Sequence, residues 1–245
     1  MAGLDITSGA LVMLLSKYVN QNGEQFSFSG KQASEFAKQI ATDFNPIHDE
    51  EAKRFCVPGD LLFSYLVCRY GISQKLNCQF SGMVGADTAL ICDEQGEDII
   101  IRDLQGKVYL SFHRSGQVQT NIDVLEPLYR DYVRFSGQNF PHILQPLMQQ
   151  HGVMINPQRP LVIYESMELS FEQLPTQKVE LSLADTSLVV EGKRGNALLE
   201  FTLSQNSHVI GKGSKRMILS NLMPYKEEDM QQMVAEYNRR KALFA

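Results

Sequence analysis

A stretch of six residues near the N-terminal end of the chain could carry acid–base chemistry. Residues 43–48 read Asp-Phe-Asn-Pro-Ile-His, which separates a carboxylate from an imidazole by an Asn-Pro turn. Such a turn, unlike a straight helix, lets Asp43 and His48 point to one side. Two such groups over a dry pocket can hold one water molecule and take a proton from it. Asn45 could anchor the turn through backbone hydrogen bonds, and Pro46 stiffens it.

The same residues also allow a purely structural interpretation. Asp and Asn before a proline are common helix caps, and a lone His after them is usually a surface or capping residue. The remaining histidines show no metal-ligand spacing, so we expect neither a metal nor a cofactor; they are His113, His142, His151 and His208.

The composition of the chain indicates an ordinary globular protein. Of 245 residues, 43% are hydrophobic and 21% charged, with 28 acidic against 23 basic residues and a net charge of −5. Without a Lys/Arg block, we expect no nucleic-acid partner. No basic signal-peptide region opens the chain, and no apolar run approaches the about 20 residues of a membrane span. Four cysteines without a C-x-x-C pair predict buried, reduced thiols and a cytoplasmic protein.

Helices are predicted on both sides of residues 43–48. Ser29 and Gln32 have capping-box spacing, and the apolar pattern after them predicts a helix over residues 29–41. A short helix is predicted from Asn45 through Phe55. From Leu61 to Ile72 almost every residue is apolar, which predicts a helix buried on all sides. An earlier helix is predicted over residues 9–19.

Segments with strand character follow the buried helix. They are Asn77–Val84, Thr88–Cys92, Ile99–Arg102 and Lys107–His113. The second half repeats this order, with a strand over residues 118–124 and a helical stretch over residues 129–150, broken near Gly137. Its strands are predicted at Leu161–Phe171, Val179–Leu183, Ser187–Glu191, Ala197–Leu203 and Val209–Leu219. A helix from Met223 to Phe244 is predicted to pack on the outside or to form a dimer contact.

Two successive units of helix followed by antiparallel sheet predict an α+β duplication. A long helix wrapped by a curved antiparallel sheet is the hot-dog architecture, so we predict a double hot-dog fold. The predicted parts are residues 1–115 with the 43–48 motif, a degenerate second unit over residues 116–222, and a C-terminal helix over residues 223–245. A monomeric double hot dog and a homodimer are both open.

The motif at residues 43–48 resembles the D-x-N-P-x-H signature of the MaoC-like, (R)-specific enoyl-CoA hydratases, which are hot-dog proteins. Residues 59–62, Gly-Asp-Leu-Leu, are similar to the H-G-M-L entrance to the central helix of that family. Residues 79–88 resemble its strand pair ending in P-G-D-T. The resemblance covers residues 25–113 and is specific at one hexapeptide.

This resemblance implies roles for individual residues. Asp43 and His48 would activate water for addition to the double bond of a trans-2-enoyl thioester, carried by CoA or by an acyl carrier. The backbone N–H of Gly59 would hold the thioester oxygen, because a helix N-terminus offers free N–H groups and a positive dipole end. Asn45 is a further candidate for substrate contact. Ser64 and Tyr65, in the first turns of the central helix, are also candidates, although helix packing explains both.

Several residues depart from the family pattern. The connection from His48 to Gly59 is short, Pro58 replaces a His, and Asp60 adds a carboxylate beside the proposed oxyanion donor. Two other functions therefore stay open: a non-catalytic hot-dog protein that binds an acyl or CoA-like ligand or a protein partner, and a thioesterase. Near the end of the last strand, Lys212, Lys215 and Arg216 could meet CoA phosphates or form a solvated strand end.

Overall fold

The structure is a computed structural model that describes residues 15–244. The helix predicted over residues 9–19 lies largely outside the described residues. Helices are α1 (Gly30–Gln39), α2 (Gly59–Tyr70), α3 (Ile122–Gly137), α4 (Asn139–His142), α5 (Leu144–Gln150) and α6 (Glu227–Ala242), with a 3-10 turn at Pro46–His48. Strands are β1 (Asn20–Asn22), β2 (Gln25–Ser27), β3 (Ile72–Phe80), β4 (Leu90–Gln95), β5 (Asp98–Asp103), β6 (Val108–Gln119), β7 (Val153–Ile155), β8 (Leu161–Phe171), β9 (Glu180–Glu191), β10 (Arg194–Gln205), β11 (His208–Ser220) and β12 (Leu222–Pro224).

Ten strands form one antiparallel sheet in the order β1-β2-β4-β5-β6-β3-β8-β11-β10-β9, while β7 pairs with β12 in a small separate sheet. If the strands β2 to β6 of the first half are counted along the chain, their order across the sheet is first, third, fourth, fifth, second. Read from the opposite edge of the sheet, the run β9-β10-β11-β8 repeats this order without the first strand, and β3 beside β8 joins the two halves with Cys78 opposite Met167. The chain therefore has an α+β double hot-dog fold, as predicted.

Helix α2 is the buried rod of the first half. Every residue from Asp60 to Cys68 is buried, because side chains of α1, α3 and the sheet pack around the helix. The ring of Tyr65 stacks on Phe26 at 4.0 Å between ring centres. Helix α1 begins with the predicted capping box, in which Ser29 Oγ accepts from the Gln32 N–H at 3.1 Å and the Gln32 side chain accepts from the Ser29 N–H at 2.9 Å.

Several predicted elements are wrong in type or length. The helix predicted from Met223 begins only at Glu227, because Met223 lies in β12, and the strands predicted at Val179–Leu183 and Ser187–Glu191 form the single strand β9. The helix predicted from Asn45 to Phe55 is only the 3-10 turn at Pro46–His48, because the Asp49 backbone is extended and its carboxylate pairs with Lys38. The strand predicted over residues 118–124 is divided: β6 continues to Gln119, and Asn121 then caps α3 by accepting from the Asp123 N–H at 2.9 Å. Residue 115 lies inside β6, and the division into units at 115 stays a prediction.

A smaller second core lies under α5 and α6, against β10 and β11. Its buried members include Met148, Leu199, Met217 and Met230. All four cysteines are free, with Cys68 and Cys78 buried and the other two half-buried. None of the helices between residues 15 and 244 is both long and apolar enough to cross a membrane. The cytoplasmic location and the oligomeric state stay predictions.

Candidate active site

The turn after α1 is fixed by its own side chains. The Asp43 N–H donates to the Ala37 carbonyl at 2.8 Å, which ends α1. Asp43 Oδ1 then accepts from the Asn45 N–H at 2.9 Å, and Asn45 Oδ1 accepts from the Ile47 N–H at 3.2 Å. Proline at the first position of the 3-10 turn has no N–H that would need a partner. Asn45 therefore anchors the turn, as predicted from its residue type, and it also lines the cavity described below.

The structure brings Asp43 and His48 together. Asp43 Oδ2 lies 3.5 Å from His48 Nε2, and the two side chains are 22% and 12% exposed. His48 Nδ1 lies 2.7 Å from the Cys56 carbonyl oxygen, which can only accept, so Nδ1 carries the proton. In the neutral imidazole, Nε2 is then an acceptor that faces a free carboxylate oxygen.

This pair lies at the wall of a cavity of about 660 Å³. The first half contributes the 43–48 turn and the start of α2, and the second half contributes the end of α3 with β8 and β11. Helix α6 closes another side with Tyr237 and Arg240. The lining includes the apolar side chains Phe80, Leu144, Ile163 and Met217. The cavity is thus large enough and apolar enough for a small acyl chain.

Gly59 begins α2 at this cavity. Its N–H and that of Asp60 donate to no acceptor within residues 15–244, as is usual for the first turn of a helix. A Cβ at Gly59 would lie 3.0 Å from the ring of Phe80 and 3.1 Å from the ring of Tyr164. A side chain at position 59 would therefore require both rings to shift, so glycine suits this close contact.

Two of the predicted substrate contacts lie away from the cavity. Ser64 is fully buried and donates to the Asp60 carbonyl at 2.7 Å, within α2. The Tyr65 hydroxyl donates to the Gln21 side chain at 3.1 Å, also away from Asp43. Neither residue lines the cavity, and the structure explains both by helix packing.

A second polar cluster, absent from the sequence prediction, lines the cavity beside Gly59. Lys215 donates to Ser136 Oγ and, at 3.3 Å, to the Ser136 carbonyl. Ser136 Oγ donates in turn to Asp60 Oδ2 at 2.6 Å. The Lys215 ammonium also lies 4.1 Å from the centre of the Tyr164 ring. Asp60, Ser136 and Lys215, here called the inner polar cluster, connect the start of α2 to the second half of the chain.

Lys215 is 4% exposed, so its prediction as part of a solvated strand end is wrong. The alternation of buried and exposed side chains along β11 indicates this burial, because Lys215, Met217 and Leu219 all face the core. Burial raises the pKa of Asp60, although Lys215 and the Ser136 hydrogen bond oppose the rise. Burial likewise lowers the pKa of Lys215, against the opposing effect of Asp60. A buried, separated charge pair of this kind costs desolvation energy that an apolar pair would avoid.

Helix α6, predicted to lie on the outside or in a dimer contact, packs over the 43–48 turn. The Tyr237 hydroxyl donates to the Thr42 carbonyl at 3.3 Å, and its ring meets Phe44 edge-on at 5.6 Å. Arg240 donates to Asp49 at 2.5 Å. Burial tends to raise the pKa of Asp49, but its hydrogen bonds to Lys38 and Arg240 lower it overall. Helix α6 therefore forms part of the cavity wall beside the connection between His48 and α2.

Gly137 at the end of α3 provides a test of how closely the halves pack. A Cβ there would lie 2.1 Å from the Ala41 carbonyl oxygen and 3.1 Å from the Asp43 Cβ. We expect Gly137→Ala to destabilise the protein by about 1–3 kcal/mol through overpacking. It should also displace Asp43 and lower the activity proposed below by about tenfold or more.

Urea unfolding and steady-state kinetics would measure both effects of Gly137→Ala. The matched control is Gly85→Ala, whose Cβ would make an ordinary 3.5 Å contact with Thr88 Oγ1. Equal stability and activity in the two variants would show that the backbone contact at Gly137 does not hold the turn in place.

The fold and the site define a double hot-dog protein with an Asp–His pair on the wall of a cavity between its two halves. The chain belongs to the family described as "Protein of unknown function (DUF3581)", whose model matches residues 13–228. A comparison with curated proteins finds no match.

Three solved structures illustrate the likeness in fold. A tesB protein of Mycobacterium avium subspecies paratuberculosis is 8% identical, with 87% of this chain and 99% of that chain covered and a TM-score of 0.45. An acyl-CoA thioesterase II, TesB2, from Mycobacterium marinum is 10% identical, with 86% and 98% covered and a TM-score of 0.40. A MaoC-like dehydratase from Phytophthora capsici is 10% identical, with 82% and 96% covered and a TM-score of 0.35. We therefore rest the fold assignment on the strand order and the buried α2.

Proposed function

We propose that this protein hydrates the double bond of an enoyl thioester at Asp43 and His48. The observation that carries the proposal is the 3.5 Å approach of Asp43 Oδ2 to His48 Nε2 on the cavity wall, with His48 held by the Cys56 carbonyl. Two acceptor atoms at this spacing suit a water molecule that donates one hydrogen bond to each. The resemblance of residues 43–48 to the MaoC-like signature agrees with this chemistry.

The proposed reaction uses the pair as a general base. As the water oxygen bonds to C3 of the enoyl group, one of its protons passes to the Asp43–His48 pair. The electrons of the double bond move toward the thioester oxygen, which gains negative charge as an enolate. The same proton then returns to C2, so that one water is added across the bond and the protein is left unchanged.

The enolate oxygen requires a stabilising group in this scheme, and the start of α2 is the candidate. The free N–H groups of Gly59 and Asp60 lie at the positive end of a 12-residue helix that lines the same cavity. Donors fixed in place before the reaction stabilise such an oxyanion without reorganisation. The carboxylate of Asp60 would oppose this charge, and the inner polar cluster offsets it because Ser136 and the Lys215 ammonium lie beside it.

One assay with two readings separates hydration from thioester hydrolysis. We would incubate the protein with trans-2-enoyl-CoA substrates from crotonyl-CoA to long chains. We expect loss of enoyl absorbance without release of a free thiol. Release of thiol at the same rate from enoyl and saturated thioesters would instead favour the thioesterase function.

Binding without turnover at every chain length would favour the non-catalytic alternative. Isothermal titration with the saturated thioesters measures that binding directly. Either of these two outcomes contradicts the hydratase proposal.

A further inference from the structure

Strand β8 has a free edge beside the cavity. Its residues 161–164 pair with β11 on one side, whereas the pairing with β3 on the other side ends where Gln79 lies opposite Ser166. In an antiparallel ladder each residue directs its N–H and C=O to one side, and neighbouring residues alternate. Alternate residues of this stretch therefore direct both groups away from β11, and no backbone group within residues 15–244 pairs with them there.

A slot between two segments of the chain leaves this edge open. After β3 ends at Phe80, the Ser81 N–H donates to the Tyr109 carbonyl at 2.8 Å, so the chain turns toward β6 and away from β8. Residues 81–83 and residues 161–164 all line the cavity. Successive side chains of a strand point to opposite faces, so a cavity that touches every residue of this β8 stretch runs along its edge. The unpaired backbone groups therefore face the slot.

The inner end of the slot lies at the start of α2. The rings of Phe80 and Tyr164, one from each side of the slot, would lie 3.0 and 3.1 Å from a Cβ at Gly59. From Tyr164 to Leu161 the strand covers about 10 Å, and Arg159 beyond it is exposed. The slot thus leads from the candidate oxyanion donor toward the surface of the protein.

The chemistry of the slot favours an extended, uncharged chain that carries amide groups. Residues 161–164 have no charged side chain, and their free N–H and C=O groups require an acceptor and a donor. A plain hydrocarbon chain would supply neither. A strand of a partner protein would need a longer edge, because strands usually have about 5–6 residues.

A thioester held at Gly59 continues from its sulfur atom into a pantetheine arm, which is extended and contains amide groups. CoA and acyl carrier proteins both present this arm. We propose that the free edge of β8 at residues 161–164 binds the pantetheine arm of the ligand through strand-like hydrogen bonds to its amides. This inference rests on the proposed binding of acyl thioesters, but it does not require that the protein hydrates them.

The first test uses ligands that cannot react. Isothermal titration calorimetry would compare the S-hexyl thioether of pantetheine with an analogue in which an ester oxygen replaces each amide N–H. The replacement keeps the length and shape of the arm but removes its hydrogen-bond donors. We expect the ester analogue to bind about tenfold more weakly, which corresponds to about 1.4 kcal/mol. Equal binding of the two ligands would overturn the inference.

Two proline substitutions test the strand edge itself. Val162 and Ile163 are neighbours, so one directs its N–H to the slot and the other to β11. Val162→Pro and Ile163→Pro each remove one of these N–H groups, and the variant that loses a bond to β11 should be the less stable in urea unfolding. The more stable variant should bind the pantetheine thioether about tenfold more weakly than the parent protein, and its matched control, the less stable variant, should bind within about twofold of the parent. Equal weakening in both variants would assign the loss to distortion of β8 and overturn the inference.

A comparison of carriers identifies the source of the arm and separates this inference from the proposed reaction. We would titrate the S-hexyl thioethers of CoA and of an acyl carrier protein beside that of pantetheine. Tighter binding of one of them would identify that carrier, and an amide preference would support the inference even if no hydration occurs. Failure of every thioether to bind would overturn it, even if enoyl-CoA is hydrated.

Discussion

Asp43→Asn should lower kcat for enoyl-CoA hydration by about a thousandfold, within the usual contribution of general base catalysis. The substitution keeps the shape of the side chain and an oxygen that can accept from the Asn45 N–H, so the turn should persist. An amide has no basic oxygen to take a proton from water. The expected loss is therefore in kcat and not in KM, because the acyl chain and thioester contacts lie elsewhere in the cavity.

The matched control for Asp43→Asn is Asp87→Asn. Asp87 is exposed, lies outside the cavity, and has a left-handed backbone that Asn tolerates well. The kcat of Asp87→Asn should stay within about twofold of that of the parent protein. If the parent protein hydrates enoyl-CoA and Asp43→Asn keeps about a third of its kcat, Asp43 is not the base.

Combining Asp43→Asn with His48→Ala would show whether the two residues act as a unit. Groups that handle one proton together lose most of their effect when either is removed, so the double variant should be little slower than the slower single variant. Independent roles would instead multiply the two losses.

The sequence predicts the first half of this site because its signals are local. Residues 43–48 contain the acid, the imidazole and the turn that joins them, and the apolar run beginning at Leu61 is enough to identify the buried helix. The fold class also follows from the repeated order of elements. The ends of elements do not follow from local sequence alone, because Asp49, for example, leaves the helical conformation through contacts with Lys38 and Arg240.

The second half of the site depends on contacts between distant parts of the chain. Asp60 and Ser136 are 76 positions apart, and Ser136 and Lys215 are 79 positions apart. Lys215 looks solvated when it is considered with its neighbours Lys212 and Arg216 alone, although it lies in the middle of β11. Only the pairing of β11 with β8 and the approach of α3 place it in the core.

Lys215→Met should destabilise the protein by about 3–5 kcal/mol, because it leaves the Asp60 carboxylate buried without a nearby cation. Methionine fits the apolar side of β11, where Met217 and Leu219 already lie, so little of the loss should come from packing. Urea unfolding would measure the change. The matched control is Lys212→Met on an exposed position of the same strand, which should change stability by less than about 0.5 kcal/mol.

The pH dependence of this loss has a definite sign. Burial already raises the pKa of Asp60, and removing Lys215 removes the main effect that opposes the rise. Folded Lys215→Met then holds a proton that the unfolded chain releases, so its stability falls as pH rises above the unfolded pKa of the carboxyl group. The loss relative to the parent should be smaller at about pH 5 than at about pH 8.

A second substitution separates charge from packing in this prediction. Asp60→Asn with Lys215→Met removes both charges and keeps an acceptor for the Ser136 hydroxyl, so most of the lost stability should return and its pH dependence should vanish. At a pH at which Asp60 of Lys215→Met is ionised, the same pair should recover kcat relative to Lys215→Met alone, because no carboxylate then faces the oxyanion at the start of α2. If the double variant were as unstable as Lys215→Met, the lysine would act through its contacts with Ser136 and Tyr164, and the electrostatic role of the cluster would be wrong.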